Sequence, residues 1–411
     1  MGKREDDYTL VHYDFETMLN RWGTGSTKWE EMAQYGITPD QGIIPMSNAE
    51  MEFYNPPEVI EGLKEFLDKT VLAYFRPMDS YYDAIIDWMK IRFDWQIEKE
   101  WICPFPGVHG ALASILRAMT EKGDGVIVME PTWPGFFHVL EQNGRVCVNS
   151  PLLCDEASFT YHIDFKDLEI KASDPNNKMI FFCSPHNPVG RVWNREELQR
   201  VAEICIANNV IIVSDELHAD LIMPGYRHTV LASLSQEIQR HTITCTAPSK
   251  TFNLAGLCTS NIIISDPLLR DRFNQRKSAD GIIRPAMLGM KACELAYSHG
   301  GKWLDACIQV LDENRRYVTE FLTEKLPCIR ATPLEGSYLM WMDLRPLGLP
   351  YRELEKQLMA KAKVFFDDGY YFGKAGEGFV RVNIACPKAA VVDAMERLYK
   401  WVSTLEKSEK Q

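Results

Sequence analysis

The sequence predicts an α/β fold with a mainly parallel sheet, and two patterns along the chain support this. Between about residues 56 and 290, short apolar runs typical of buried strands alternate with segments typical of helices. Alternation of this kind indicates a parallel sheet covered by helices on both faces. After that region, long amphipathic helices and a few separated strands predict a smaller α+β domain.

The length of the chain favours two domains and an additional arm. A chain of 411 residues is long for a single core. We predict an N-terminal arm over residues 1–55 that packs with the small domain, a large domain over 56–290 and a small C-terminal domain over 291–411. Glycines and prolines punctuate the arm, which we therefore expect to be irregular.

Individual elements of the large domain follow from local signals. We predict strands at residues 125–129, 145–148, 179–183, 210–214 and 242–246. The turn at 106–112 opens a helix that continues to about Thr120. Asn194 is an N-cap, and Glu197 is a capping-box acid three residues later, so a helix starts there and ends near Asn208 and Asn209.

The last third of the chain predicts a different arrangement. Residues 286–326 are read as a connecting helix and its successor, and residues 389–402 as a closing helix. Strands are expected around 337–341 and 379–383. The glycine-rich stretch 373–378 follows no clear strand and opens no helix, which indicates a turn and not a nucleotide-binding loop.

Composition excludes several classes of protein. The net charge of −12 argues against a nucleic-acid-binding surface, which needs basic patches. The eleven cysteines contain no C-x-x-C pair, which favours reduced thiols, a cytoplasmic location and no metal site. The chain starts without a hydrophobic signal region and contains no apolar run of membrane-spanning length.

Three polar residues follow three successive predicted strands. Asn187 comes after the strand at 179–183, Asp215 after that at 210–214, and Lys250 after that at 242–246. Ligands bind at the carboxyl ends of the strands in open parallel sheets. An amine nucleophile, a carboxylate and an amide at one edge suit the binding of pyridoxal 5′-phosphate (PLP).

Four sequence phrases extend this interpretation to a family. SPHNPVGRVW, SDELHADL, TAPSKTFNLAGL and GFVRVNIACP occur in this order. With them, the chain from about Tyr13 to Trp401 resembles fold-type I PLP enzymes of the class I/II aminotransferase superfamily, most closely the MalY/PatB-like cystathionine β-lyase (C–S lyase) branch. The resemblance implies PLP as the cofactor and a homodimer whose active sites are shared across the interface.

The resemblance assigns the central roles in the site. Lys250 is implied as the Schiff-base lysine and general base, and Asp215 as the partner of the pyridinium nitrogen. Asn187 is implied to donate to the phenolic oxygen of the cofactor, although it also suits a turn before a proline. Arg381 is implied to clamp the substrate α-carboxylate, with Asn187 and Ala49 beside it.

The phosphate of the cofactor needs hydrogen-bond donors. We predict that the backbone groups of Val108 and His109, at a helix N-terminus, and the hydroxyls of Ser249 and Thr246 supply them. His109 is unusual, since related enzymes mostly carry apolar or small residues at this position. Tyr74 resembles the tyrosine that reaches the phosphate in the neighbouring subunit, and an ordinary core or interface tyrosine is the alternative.

Other positions remain open in the sequence. Trp133 stands where the family usually has a tyrosine packed on the cofactor ring. His218 either braces Asp215 or stacks near the ring, and a structural histidine is nearly as plausible. Arg284 replaces a small polar residue in a segment that, in related enzymes, usually faces the partner's active site. It is hypothesised to bind a distal anionic group of the substrate, with a solvated surface arginine as the equal alternative. Glu50 and Glu52 stand where relatives carry aspartates.

The function implied by the resemblance is a PLP-dependent C–S β-lyase that cleaves cystathionine or a related S-substituted cysteine to a thiol, pyruvate and ammonia. The alternative is an aminotransferase that acts on an L-amino acid and an α-keto acid. Residues 255–258 contain no arginine where related aminotransferases often grip the phosphate, which favours the lyase. A regulatory interaction with a transcription factor is conceivable as an additional role.

Overall fold

The computed structural model describes residues 13–408, and its strands fall into one large sheet, one small sheet and two isolated pairs. In chain order the strands are β1 (Ile44–Pro45), β2 (Ile102–Phe105), β3 (Gly125–Val128), β4 (Val146–Asn149), β5 (Leu153–Asp155), β6 (Thr160–His162), β7 (Asn177–Cys183), β8 (Ile211–Asp215), β9 (Thr242–Thr246), β10 (Ser260–Ile264), β11 (Arg330–Ala331), β12 (Leu339–Asp343), β13 (Val364–Phe365), β14 (Asp367–Asp368) and β15 (Phe379–Asn383).

The large sheet has seven strands in the order β2-β10-β9-β8-β7-β3-β4. The pairs from β4 to β9 are all parallel, and β10 runs antiparallel to both of its neighbours. The mainly parallel sheet predicted from the sequence is therefore confirmed. Because β7, β8 and β9 are adjacent and parallel, their carboxyl ends lie side by side at one edge.

Helices flank this sheet and connect its strands. In chain order the helices are α1 (Thr27–Gln34), α2 (Pro57–Lys69), α3 (Asp79–Phe93), α4 (Val108–Met119), α5 (Pro134–Gln142), α6 (Phe165–Ser173), α7 (Arg195–Ala207), α8 (Gln236–His241), α9 (Pro248–Thr251), α10 (Pro267–Ala279), α11 (Met287–His299), α12 (Gly301–Lys325), α13 (Tyr351–Gln357) and α14 (Lys388–Ser408). Within the described residues, no helix is both long and apolar enough to cross a membrane.

The core of the large sheet has two layers. Along β7, Met179 and Phe181 pack into one apolar cluster, whereas Ile180 and Phe182 pack into the other. Successive side chains of a strand point to opposite faces, so this division shows that helices cover the sheet on both sides. Burial on both faces explains why β7 is apolar throughout its centre.

A second sheet follows in the last third of the chain. It has the order β11-β12-β15-β14 and is antiparallel throughout. The N-terminal part of the chain joins this region through β1, which pairs with β13, and through Trp29 and Met32, which pack against Phe365. The boundaries between the arm and the two predicted domains stay a prediction.

Most local predictions agree with the structure. The capping box at Asn194 and Glu197 is present, with both hydrogen bonds at 2.8 Å. The expectation that residues 1–55 are irregular is wrong for part of the arm, because α1 forms there. No side-chain hydrogen bond caps α1, but Lys28, Trp29 and Met32 are buried. Tertiary packing therefore stabilises a helix that the local sequence does not predict.

Candidate active site

A cavity of about 400 Å³ opens at the carboxyl ends of β7, β8 and β9. Asn187, Asp215 and Lys250 line it together with Arg381 from β15. These four residues lie far apart in the sequence, and the two sheets bring them to one pocket. Of the other predicted site residues, those that also line this pocket are Ala49, Val108, His109, Trp133, His218 and Ser249.

Lys250 lies in α9, directly after β9. Its Nζ donates a hydrogen bond of 2.7 Å to the Ala49 carbonyl oxygen. Burial and the neighbouring charge of Arg381 lower the pKa of Lys250 to about 8, although Glu50 and Asp215 oppose this shift. A sizeable fraction of the amine is therefore neutral near physiological pH, as a nucleophile or a base requires.

Asp215 is the last residue of β8, and its side chain is buried at the base of the pocket. Its Oδ1 accepts a hydrogen bond of 3.3 Å from the Leu217 backbone N–H. Burial raises the pKa of Asp215 to about 6, against the opposing effects of that hydrogen bond and of Lys250. A cationic group placed beside this carboxylate would favour its charged form.

Arg381 is held by two residues. Its Nε and Nη2 donate to Asp367 Oδ2 at 3.0 and 2.7 Å, and its Nη1 donates to Asn187 Oδ1 at 3.0 Å. Asp367 faces Arg381 across the antiparallel pair of β14 and β15. The sequence interpretation missed Asp367. Because Asn187 uses its oxygen for Arg381, its amide nitrogen is the atom left to donate into the pocket.

The N-terminus of α4 forms another wall. Gly107 precedes the helix with a φ of 83°, a conformation that favours glycine, and Val108 and His109 form its first turn. Ser249 lines the same pocket. Thr246, predicted with them, is not among the lining residues, and its hydroxyl donates 3.2 Å to the Asn261 carbonyl oxygen between neighbouring strands.

Trp133 and His218 lie on other walls of the pocket. The Trp133 ring meets the His109 ring edge to face, with 5.8 Å between the ring centroids. A Cβ at Gly135 would lie 2.2 Å from the Trp133 ring, so glycine is needed there to keep the ring in place. His218 Nδ1 is 3.1 Å from Ser337 Oγ, and the role of His218 beside Asp215 or near the cofactor ring stays a prediction. Burial and Lys250 lower the pKa of His218, which favours a neutral ring.

Tyr74 and Arg284 lie outside the pocket of their own chain. The Tyr74 side chain is fully exposed, with a relative exposure of 104%. The Arg284 guanidinium lies 5.8 Å from the centre of the Phe75 ring. The two residues therefore lie on neighbouring surface. Because the hypothesis places Arg284 in a segment that faces the partner's active site, its role in substrate recognition stays a prediction.

The segment around Ala49 is fixed by side chains that lie far from it in the sequence. Asn383 Nδ2 donates to the carbonyl oxygens of Asn48 and Glu50 at 2.7 and 2.6 Å. Asn253 accepts from the Met51 backbone N–H at 2.9 Å. Thr27, Asn48 and Glu50 line the pocket as well. Thr27 and Asn48 were missed, because their place depends on contacts that no local motif encodes.

Comparisons with known proteins agree with this geometry. The family model described as aminotransferase class I and II matches residues 41–398. The chain belongs to this family. A relative within it, cystathionine β-lyase PatB of Bacillus subtilis (strain 168), is 40% identical over 386 residues, which cover 94% of this chain and 98% of PatB.

Solved structures of the family extend the likeness to three dimensions. Cystalysin from Treponema denticola, described as containing a pyridoxal 5′-phosphate cofactor, has a TM-score of 0.94 and 44% identity, and the match covers 96% of this chain and 100% of cystalysin. The PLP-bound C–S lyase from Staphylococcus hominis has a TM-score of 0.88 and 29% identity, with 96% and 99% covered. The resemblance stated from the sequence is thus confirmed.

Proposed function

We propose that this protein is a PLP-dependent C–S β-lyase that acts on cystathionine or a related S-substituted cysteine. The observation that carries the proposal is its likeness to PatB, cystalysin and a C–S lyase over at least 94% of the chain. The pocket described above lies within the matched region and contains the groups that the reaction needs.

The residues of the pocket fit PLP. Asp215 is a buried carboxylate whose pKa is raised by burial, so a protonated pyridine nitrogen is a suitable partner for it. The first turn of α4 and Ser249 provide donors for a phosphate. Lys250 provides the amine. When bound, the cofactor supplies the electron sink that stabilises negative charge on the substrate Cα.

The side chains of the pocket have separate roles in the reaction. Arg381 binds the α-carboxylate of the amino acid, with Asp367 and Asn187 fixing the guanidinium plane. The neutral amine of Lys250 removes the proton from Cα. The Cβ–S bond breaks and its electron pair leaves with the thiol. With one water molecule consumed, the substrate gives one thiol, one pyruvate and one ammonium ion.

Product analysis tests this proposal against the aminotransferase alternative. The purified protein is incubated with PLP and L-cystathionine, with and without an α-keto acid. We expect pyruvate, ammonia and free thiol in equal amounts without the acceptor. Turnover only with the acceptor, with one amino group transferred for each substrate consumed, would instead establish the aminotransferase that the family name permits.

We also propose a homodimer in which Tyr74 completes the partner's site. Tyr74 belongs to an exposed apolar surface with Val71, Leu72, Met78 and Ile283, which are each at least 66% exposed. Large apolar side chains exposed on neighbouring segments are typical of an interface. A cytoplasmic location stays a prediction.

Mixed dimers test the shared site. Tyr74→Ala and Lys250→Ala each remove one component, so each pure protein is expected to be weakly active or inactive. If each site takes one residue from each chain, exchange between equal amounts of the two should restore about a quarter of the wild-type activity. Sedimentation of a monomer, or no recovery after proven exchange, would contradict the shared site.

A further inference from the structure

The pocket continues into a second cavity beneath the N-terminal arm. We call this cavity of about 830 Å³ the outer chamber; residues 18–21 and 24–27 of the arm line it, together with residues from 50–55 and 253–256. Thr27, Glu50 and Ala255 line both cavities and therefore mark their junction. A substrate too long for the inner pocket, which must also hold the cofactor, has this chamber as its extension.

Four charged side chains lie near the junction, and they differ in their exposure to solvent. Lys28 and Glu52 are buried, with 2.9 Å between Lys28 Nζ and Glu52 Oε1. The other oxygen of Glu52 accepts from Trp29 Nε1 at 3.2 Å. Glu52 therefore stabilises the packed arm and is not available to bind a ligand, because Lys28 would be a buried cation without a partner if Glu52 moved away.

Arg21 and Glu50 are the accessible members of this group. Arg21 Nη1 lies 2.8 Å from Glu50 Oε1 and 3.1 Å from Glu52 Oε1. The side chains of Arg21 and Glu50 are 27% and 23% exposed, whereas that of Glu52 is 3% exposed. A ligand in the outer chamber would therefore meet one cationic and one anionic group, held side by side.

Glu50 is fixed close to the reacting region. Its carbonyl oxygen accepts from Asn383, and the preceding carbonyl, that of Ala49, accepts from Lys250 Nζ. Glu50 lines the inner pocket as well as the outer chamber, and its charge raises the pKa of Lys250, against larger opposing effects. Glu50 therefore lies between the predicted base and the outer chamber.

We propose that the Arg21–Glu50 pair recognises a zwitterionic, amino-acid-like end on the leaving group of the substrate. Glu50 binds the distal ammonium group and Arg21 the distal carboxylate, for which the arginine fork is well suited. The inference rests on the proposed β-lyase and specifies its substrate class: S-substituted cysteines whose thiol product is itself an amino acid.

Four substrates separate the two charges. We would compare kcat/KM for L-cystathionine, S-(2-aminoethyl)-L-cysteine, S-(2-carboxyethyl)-L-cysteine and neutral S-propyl-L-cysteine, by pyruvate release. Each value is divided by that for S-propyl-L-cysteine in the same protein, which cancels any effect of a variant on Lys250. The wild type is expected to prefer L-cystathionine over the neutral substrate.

The variants Glu50→Gln and Arg21→Met should produce opposite patterns. Glu50→Gln should lower the relative rate for the aminoethyl substrate by roughly tenfold and leave the carboxyethyl substrate no worse. Arg21→Met should do the reverse, and both should reduce the preference for L-cystathionine. Glu30→Gln is the matched control, because Glu30 lies in the same arm, accepts from the Gly23 backbone N–H at 2.9 Å and lines neither cavity.

The outcomes distinguish this inference from the function on which it rests. Unchanged substrate ratios in both variants, with S-propyl-L-cysteine still cleaved, would overturn the role of the pair alone. If the wild type releases pyruvate from none of the four substrates, the proposed lyase fails and the inference with it. Should a variant fold poorly by circular dichroism, Glu50→Asp and Arg21→Lys, which keep the charges but move them, are expected to show smaller losses of the same ratios.

Discussion

Two walls of the pocket differ in how the sequence builds them. The sheet wall carries Asp215, the last residue of a buried strand, and Asn187 and Lys250, each a few residues beyond the end of one. The arm wall carries Glu50 and is held by contacts across great sequence distances, such as that from Asn383 to the Asn48 carbonyl, 335 residues away. The sheet wall holds the groups for the chemistry, and the arm wall holds those we assign to orientation and substrate choice.

The largest expected effect comes from the sheet wall. Lys250→Ala should lower lyase activity by at least roughly 1,000-fold, because it removes both the amine that binds the cofactor and the proposed base. Activity and the absorbance of the bound cofactor are measured together. Lys277→Met is the matched control, since Lys277 is also buried and donates to a backbone carbonyl, that of Pro104, outside the pocket. Equal losses in both variants would assign the effect to folding.

The next largest effect should come from the residue that orients Arg381. Asp367→Asn keeps the size of the side chain but weakens the charge-assisted bonds to Arg381 Nε and Nη2. We expect KM for the amino acid to rise by roughly 10- to 100-fold with a smaller change in kcat, because binding of the α-carboxylate is lost first. A drop in kcat alone would show that Asp367 does not act through Arg381.

The second sheet offers a matched control for that variant. Asp343 holds Arg345 through two hydrogen bonds, at 2.8 and 2.7 Å, and lines no wall of the pocket. Asp343→Asn removes a similar ion pair from the same sheet. It should therefore leave KM unchanged, and any loss of thermal stability that it shares with Asp367→Asn reports the structural part of the effect.

The contrast between the walls also explains what the sequence could predict. A buried strand followed by a polar residue is a local signal, so the positions of Asp215 and Lys250 follow once the strands are recognised. Asp367 pairs with Arg381 only because the register of β14 and β15 places them opposite each other. Arg21 lies in a loop without a repeating pattern and contacts Glu50, which is 29 residues away in the sequence. Such contacts depend on the finished fold.

A smaller effect should reveal how Glu50, on the arm wall, changes the pKa of Lys250, on the sheet wall. The pKa of Lys250 is lowered to about 8, so the rate at which the cofactor-free protein binds PLP should rise about tenfold between roughly pH 7 and roughly pH 9. Stopped-flow absorbance measures this rate. The charge of Glu50 raises that pKa, so Glu50→Gln should move the midpoint to lower pH. An unmoved midpoint would show that the walls are not coupled through this charge.

The smallest effect concerns a carboxyl group behind Arg381. Burial, and next the charge of Glu355, raise the pKa of Asp368 well above its ordinary value of 3.8. The folded protein therefore keeps a proton that the unfolded chain loses, so this group makes the protein less stable as pH rises between the two pKa values. Asp368→Asn removes that cost. The melting temperature of the variant minus that of the wild type should grow by about 1 to 3 °C from roughly pH 5 to roughly pH 9. A difference that shrinks with pH would mean that Asp368 is charged in the folded protein, as a second anion beside Asp367 on β14.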